Sequence, residues 1–224
     1  MKNIPFDIWF GGFAEPILKR ALNKESLIKC LHVDIGRKVY DLYSDHKRIY
    51  HNAYHPWWMF NFAWQHNITL TPAQELAILF HDVIYKLGDS MNEQNSADYM
   101  YDIFRENCEE FSDVCDASKI IEDTAKHFDV NPSLDFEPSN LVLDLDIMNM
   151  AVSYREFLEW NSAIEEEIKL HDSFDLDARL TFLEFFITKK DILHSSELKG
   201  YEPLIRENLY QLIYELNIQK KQLG

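Results

Sequence analysis

Thr71-Pro-Ala-Gln-Glu-Leu-Ala-Ile-Leu-Phe80-His81-Asp82-Val83 carries a helix signal and a chemical anomaly together. Thr71-Pro72-Ala73-Gln74 is a capping box with proline at the first helical position, which marks where a helix starts. Leu76, Leu79, Phe80 and Val83 recur at helical spacing, and Ala77 and Ile78 widen the apolar surface. The segment is therefore predicted to be a helix buried nearly all round. A histidine and an ionised aspartate at the end of such a helix are costly to bury unless both have partners. A metal ion partners both at once. Imidazole and carboxylate together suit Zn, Fe, Mn or Co rather than Ca.

Upstream, Arg48-Ile-Tyr-His51-Asn-Ala-Tyr-His55 supplies two more histidines, four residues apart. On one continuous helix they would share a face. Pro56 follows directly, however, and a residue before proline is pushed out of the α region. A helix that begins at Pro56 leaves the mutual facing of His51 and His55 open, and either can be the ligand.

The rest of the chain reads as helical. Residues 13–43 alternate apolar and charged positions at helical period, with a break expected near Gly36. Lys86 to Glu93 is a polar loop. After it, Ala97, Met100, Phe104, Cys108 and Phe111 form a helical stripe. A further helix is expected from about Asp116, carrying Ile120, Thr124 and His127, and residues 129–140, with two prolines, form a loop. Leu141-Val-Leu-Asp144-Leu-Asp146 alternates like a strand but lies among helices, and helix is the favoured reading. By the 100° step of a helix, Asp144 and Asp146 then point about 200° apart, so only one of them can face a given site. Tyr154 to Leu170 is an amphipathic helix with Glu165-Glu-Glu167 read as its acidic outer run. Ala178 to Ile187 and Pro203 to Leu216 complete the set; the stripe Ile205, Leu209, Leu212, Leu216 suits a buried helix or a helix–helix seam. With no internal repeat and no linker, residues 1–224 read as one all-α domain.

Composition narrows the function. The 224 residues are 46% hydrophobic with only 6 Gly and 7 Pro, as expected of a compact, helix-rich domain. The net charge of −16 repels phosphate backbones and argues against a nucleic-acid polymer as partner. Small phosphorylated substrates stay compatible, because a bound divalent metal reverses the local charge. Cys30, Cys108 and Cys115 lie in no metal-binding spacing and read as reduced thiols of a cytoplasmic protein. No apolar run approaches the ~18 residues of a membrane span, and the N-terminal stretch, interrupted by Asp7, does not read as a signal peptide.

The ordered set of motifs resembles the HD superfamily of metal-dependent phosphohydrolases, and within it a bacterial group with an Arg-x-Tyr-His-Asn motif. The resemblance rests on Arg48-Ile-Tyr-His51-Asn52 with His55, on Leu76 through His81-Asp82 to Tyr85, and on Asn92-Glu93 with Ser96-Ala97. It continues through Ile121 to His127, Leu143-Asp-Leu-Asp146 and Ile205-Arg-Glu-Asn208, and so covers most of residues 40–216. It implies an HD-like helical bundle and a divalent metal (Mn, Fe, Co or Zn) held by His55, His81, Asp82 and Asp146. Cyclic-nucleotide phosphodiesterases are distantly similar at Tyr50-His51-Asn52 and His55. That similarity assigns His55 as ligand and His51 as the general acid that protonates the leaving oxygen. A metal so held lowers the pKa of a bound water and offsets phosphoryl charge. Arg48 is a candidate bidentate phosphate contact, and His127 a candidate wall of the same cleft. The implied substrate is a small phosphomonoester or phosphodiester, nucleotides included.

Other residues get plainer readings. His171-Asp172, beside the acidic run, reads as a solvated helix end. His32, His46, His66 and His194 read as ordinary histidines, Trp57, Trp58 and Trp64 as core, and Tyr85, Tyr99 and Tyr101 as packing. Two rival functions use the same residues. One is a non-catalytic HD module that keeps its metal and binds a ligand. The other is a diiron oxygenase, which needs more than four ligands and would have to recruit His127 or His51.

Overall fold

The computed structural model describes residues 3–127, 136–171 and 174–223, and among these the chain is all-α, without a β-strand. The helices are α1 (Phe6–Trp9), α2 (Glu15–Ala21), α3 (Lys24–Ile28), α4 (Leu31–Tyr43), α5 (Tyr54–Gln65) and α6 (Pro72–Phe80). They continue as α7 (Asn92–Phe104), α8 (Phe111–Thr124), α9 (Pro138–Ile147), α10 (Tyr154–His171), α11 (Leu176–Ile187) and α12 (Glu202–Leu223). A π-helical turn, Phe10–Ala14, joins α1 to α2.

α6 is the central rod. Its capping box forms as expected: Thr71 accepts from the Gln74 backbone, and the Gln74 side chain accepts from Thr71 N. Every residue from Leu76 to Phe80 is at most 1% exposed, because α2, α5, α7, α8 and α9 all pack around this helix. One hydrophobic cluster extends from Ile4 to Leu216. The α12 stripe Ile205, Leu209, Leu212, Leu216 lies in that cluster, so it is core.

Several expectations are corrected. α4 runs without a break through Gly36. The glycine is there because a Cβ at position 36 would meet Phe10 Cε2 at 2.3 Å and Cδ2 at 2.5 Å. Phe10 has little room to retreat, since it stacks on Phe6 at 5.1 Å and lies beside His32. α7 stops at Phe104, and Asn107 to Glu109 pair instead with residues 21–23, Asn23 N donating to Asn107 O at 2.8 Å and Glu109 N to Ala21 O at 2.9 Å. α8 begins at Phe111, and Trp64 is 72% exposed and not core. The loop expected at 129–140 falls mostly outside the described residues, apart from its end, where Pro138 opens α9; Asp172 also falls outside them.

Gly36→Ala should therefore lower the urea midpoint. An interior helical Gly→Ala ordinarily gains about 1 kcal/mol, but overpacking a clamped ring costs about 1–3 kcal/mol. A raised midpoint would show that Phe10 yields freely and would sink this account of the glycine.

Candidate metal centre

Three helix C-termini converge on one point. His81 caps α6 and Asp82 follows it, Asp146 is the penultimate residue of α9, and His127 lies just beyond α8. Helix C-termini carry partial negative charge, so their convergence favours a cation. His55 completes the group from the first turn of α5, where it is fully buried.

The start of α5 shows where the helix begins relative to Pro56. Asn52 Oδ1 accepts from Tyr54 N at 2.8 Å and His55 N donates to Asn52 O at 3.0 Å, so the chain turns into the helix at Tyr54. Pro56 then sits in the first turn, where a missing N–H costs nothing. His51 remains outside the helix, 6.4 Å from His55 between ring centroids.

His55, His81 and Asp82 offer ligand atoms that all lie within 4.8 Å of one another. Asp146 joins them: its Oδ1 is 2.6 Å from His55 Nε2 and 3.7 Å from His81 Nε2, and its Oδ2 is 2.7 Å from His127 Nε2. His81 is oriented as a ligand would be. Its Nδ1 donates to Ile78 O at 3.0 Å, a carbonyl that can only accept, so in the neutral ring the lone pair is on Nε2. That Nε2 is buried and faces Asp82 Oδ2 at 3.0 Å. Two imidazole nitrogens, from His55 and His81, and two carboxylates, from Asp82 and Asp146, fit a divalent transition metal. Asp82 and Asp146 keep 14% and 17% side-chain exposure, so the group is reachable from solvent.

The electrostatics agree with the geometry. Burial opposes charge on His81, but the adjoining Asp82, with Asp146 behind it, pushes the ring up to about 9. Burial would raise both carboxyls, yet His81 holds Asp82 well below the carboxylate range, and His127 and His55 do the same for Asp146.

Of the two α9 aspartates, Asp146 faces this group and Asp144 faces away. Asp144 is buried and accepts from His194 N at 2.9 Å, Ser195 N at 2.6 Å and Ser195 Oγ at 2.6 Å, tying the segment after α11 to α9. Lys189 continues that tie by donating to His127 O at 2.7 Å.

Arg48, expected to hold phosphate, instead donates from Nη1 to Asp82 O at 2.7 Å and from Nη2 to Val83 O at 3.1 Å. It thereby positions the turn that carries Asp82. Tyr43 assists: its hydroxyl accepts from Asp82 N at 3.3 Å and donates to Leu79 O at 3.2 Å. Ser96 and Asn92 of α7 fasten the next residues, Ser96 Oγ bonding both Ile84 N and Ile84 O, and Asn92 both Lys86 N and Lys86 O.

The residue that sequence reasoning missed is Glu167. It is only 1% exposed, the opposite of an outer-run glutamate. One carboxylate oxygen accepts from Tyr50 N at 2.8 Å and His51 N at 3.1 Å, and the other pairs with His51 Nδ1. Tyr85, read as packing, stacks on the His51 ring at 4.0 Å. Burial disfavours charge on His51, but the Glu167 hydrogen bond, then Asp82, Glu167 and Asp146 charges, raise its pKa above the ordinary histidine value. With 23% side-chain exposure, His51 stands at the rim of the group. The signal for Glu167 was present: Phe157, Trp160 and Ala163 recur every three residues along the buried face, and Glu167 follows Ala163 at i+4.

No family model, curated protein or solved structure matches this chain.

Proposed function

We propose that this chain is a metal-dependent phosphohydrolase acting on a phosphomonoester or phosphodiester of a small molecule, nucleotides being one such class. The observation that carries the reading is the convergence of His55, His81, Asp82 and Asp146 with the His51–Glu167 pair at the rim. The resemblance of the motif order to the HD superfamily supports the same assignment.

A divalent transition metal held by those four residues would activate water near neutral pH and offset charge on phosphoryl oxygens. The chain's own groups supply the rest. Glu167 holds the Nδ1 proton of His51 and so leaves Nε2 to give a proton to the leaving oxygen. The Glu167 hydrogen bond raises the pKa of His51 and so favours its protonated, acid form. Arg48 and Tyr43 hold the backbone at Asp82, and Ile78 O holds the His81 tautomer, so the donor set is preorganised.

The test is metal content together with turnover. Protein as isolated, and after reconstitution with Mn, Fe, Co or Zn, is assayed on an aryl phosphate, a bis-aryl phosphate and a nucleotide panel. Metal-dependent hydrolysis is the expected result. Stoichiometric metal without turnover on any of these would favour the second reading, a metal-containing ligand-binding module. The commitment of Arg48 to backbone carbonyls motivates that alternative. Failure to take up any of the four metals would overturn both.

A further inference from the structure

The outer face of α12 carries a row of large side chains in solvent. Tyr210 is 62% exposed, Tyr214 67% and Ile218 39%, at i, i+4 and i+8. By the 100° helical step, Glu207 and Lys221, both exposed, fall within about 40° of Tyr214 on the same stripe. Ile205, Leu209, Leu212 and Leu216 lie on the opposite side, in the core. Lys220, by contrast, turns off the stripe to pair with Asp177 of α11 at 2.6 Å. Scattered exposed hydrophobics need no explanation, but an aligned row with charges at its two ends does.

The order of residues on this stripe is self-complementary. Glu207 and Lys221 lie seven residues on either side of Tyr214, and Tyr210 and Ile218 four on either side. A twofold axis through Tyr214, perpendicular to the helix, places residue 214+k of one copy opposite 214−k of the other. Glu207 then meets Lys221 of a second copy, twice over; Tyr210 meets Ile218; and Tyr214 stacks on its own counterpart. Parallel pairing would set Glu207 against Glu207 and Lys221 against Lys221, which repel. We infer that α12 is the seam of an antiparallel homodimer, isologous about Tyr214.

The seam covers about four helical turns, small beside the ~800 Å² per partner of a standard interface, so the dimer is weak, with a dissociation constant of about micromolar or higher. Sedimentation velocity of the full chain, from roughly 1 to 200 µM, tests this directly. Wild type should shift from monomer to dimer across the series. Glu207→Lys and Lys221→Glu should each weaken association roughly tenfold, because each turns two attractive pairs into repulsive ones. The double variant Glu207→Lys/Lys221→Glu restores opposite charges across the twofold and should restore the dimer. Tyr214→Arg should stay monomeric. All these positions are exposed, and an unchanged far-ultraviolet spectrum confirms that each variant is folded. A wild type that stays monomeric at the top concentration would overturn the inference and leave the stripe to a different partner. A dimer that persists in Tyr214→Arg, or a charge swap that does not restore association, would overturn it as well.

Discussion

Asp82→Asn is expected to abolish metal retention and with it all hydrolysis above background. The substitution keeps the size of the side chain and removes its charge, so the fold should survive. Asp82 does two things at this site. Its Oδ2 is one of the candidate donors, and its charge is the main influence that pushes His81 up to about 9. Residues that merely support metal ligands typically cost roughly 10–100-fold when removed, and a donor should cost more than that. Metal content after dialysis checks the claim without reference to activity. A second readout is thermal: a metal at 100 times its Kd stabilises the folded state by about 2.7 kcal/mol. Wild type should show that rise on adding metal and Asp82→Asn should not. The proton linkage gives a third. A metal takes the neutral imidazole, and without metal His81 is protonated below about pH 9. Uptake therefore releases a proton below that pH, and affinity tightens as pH rises toward it. A variant that still retains stoichiometric metal would show that Asp82 is a structural partner of His81 and nothing more.

Which parts of this site could be read from sequence follows from the range of the interactions involved. The capping box at Thr71 and the apolar run to Phe80 are local, and α6 forms as they imply. The division of labour between Asp144 and Asp146 is also local: the 100° step separates them, and they do go to opposite sides of α9, one to Ser195 and one to His55. Gly36 shows the limit. A helical glycine reads as a breaker until it is known that Phe10, 26 positions earlier in the sequence, fills the space of its missing Cβ. Arg48 fails in the same way, because its targets are carbonyls 34 and 35 residues away, just beyond the end of α6. Glu167 is a different case. The apolar period of α10 placed it on the buried face, but two exposed-type glutamates beside it made the three look like one solvated run. A lone acid in phase with Phe157, Trp160 and Ala163 carries more meaning than its neighbours do.

That acid gives the second large effect. Glu167→Gln should lower kcat by about 10²–10³-fold while leaving metal content at the wild-type level, a magnitude within the range of general acid–base catalysis. Glu167 lies on α10, whereas the candidate donors come from α5, the end of α6 and α9, so the substitution removes no metal-binding atom. What it removes is the charge that holds the His51 proton and the strongest acceptor for Tyr50 N and His51 N. The pH profile separates this role from simple misfolding. A general acid must be protonated, so activity falls as pH rises through its pKa. Glu167 raises the pKa of His51, and without that charge burial pulls it down again. The alkaline limb of kcat should therefore move to lower pH in Glu167→Gln. Glu167→Asp, which keeps the charge on a shorter arm, should recover part of the limb's position. Loss of kcat with an unmoved alkaline limb would mean that His51 is not the titrating acid and that Glu167 only braces the backbone at Tyr50. A normal kcat would remove the pair from the reaction altogether, leaving it as a buried ion pair that fixes the loop before α5.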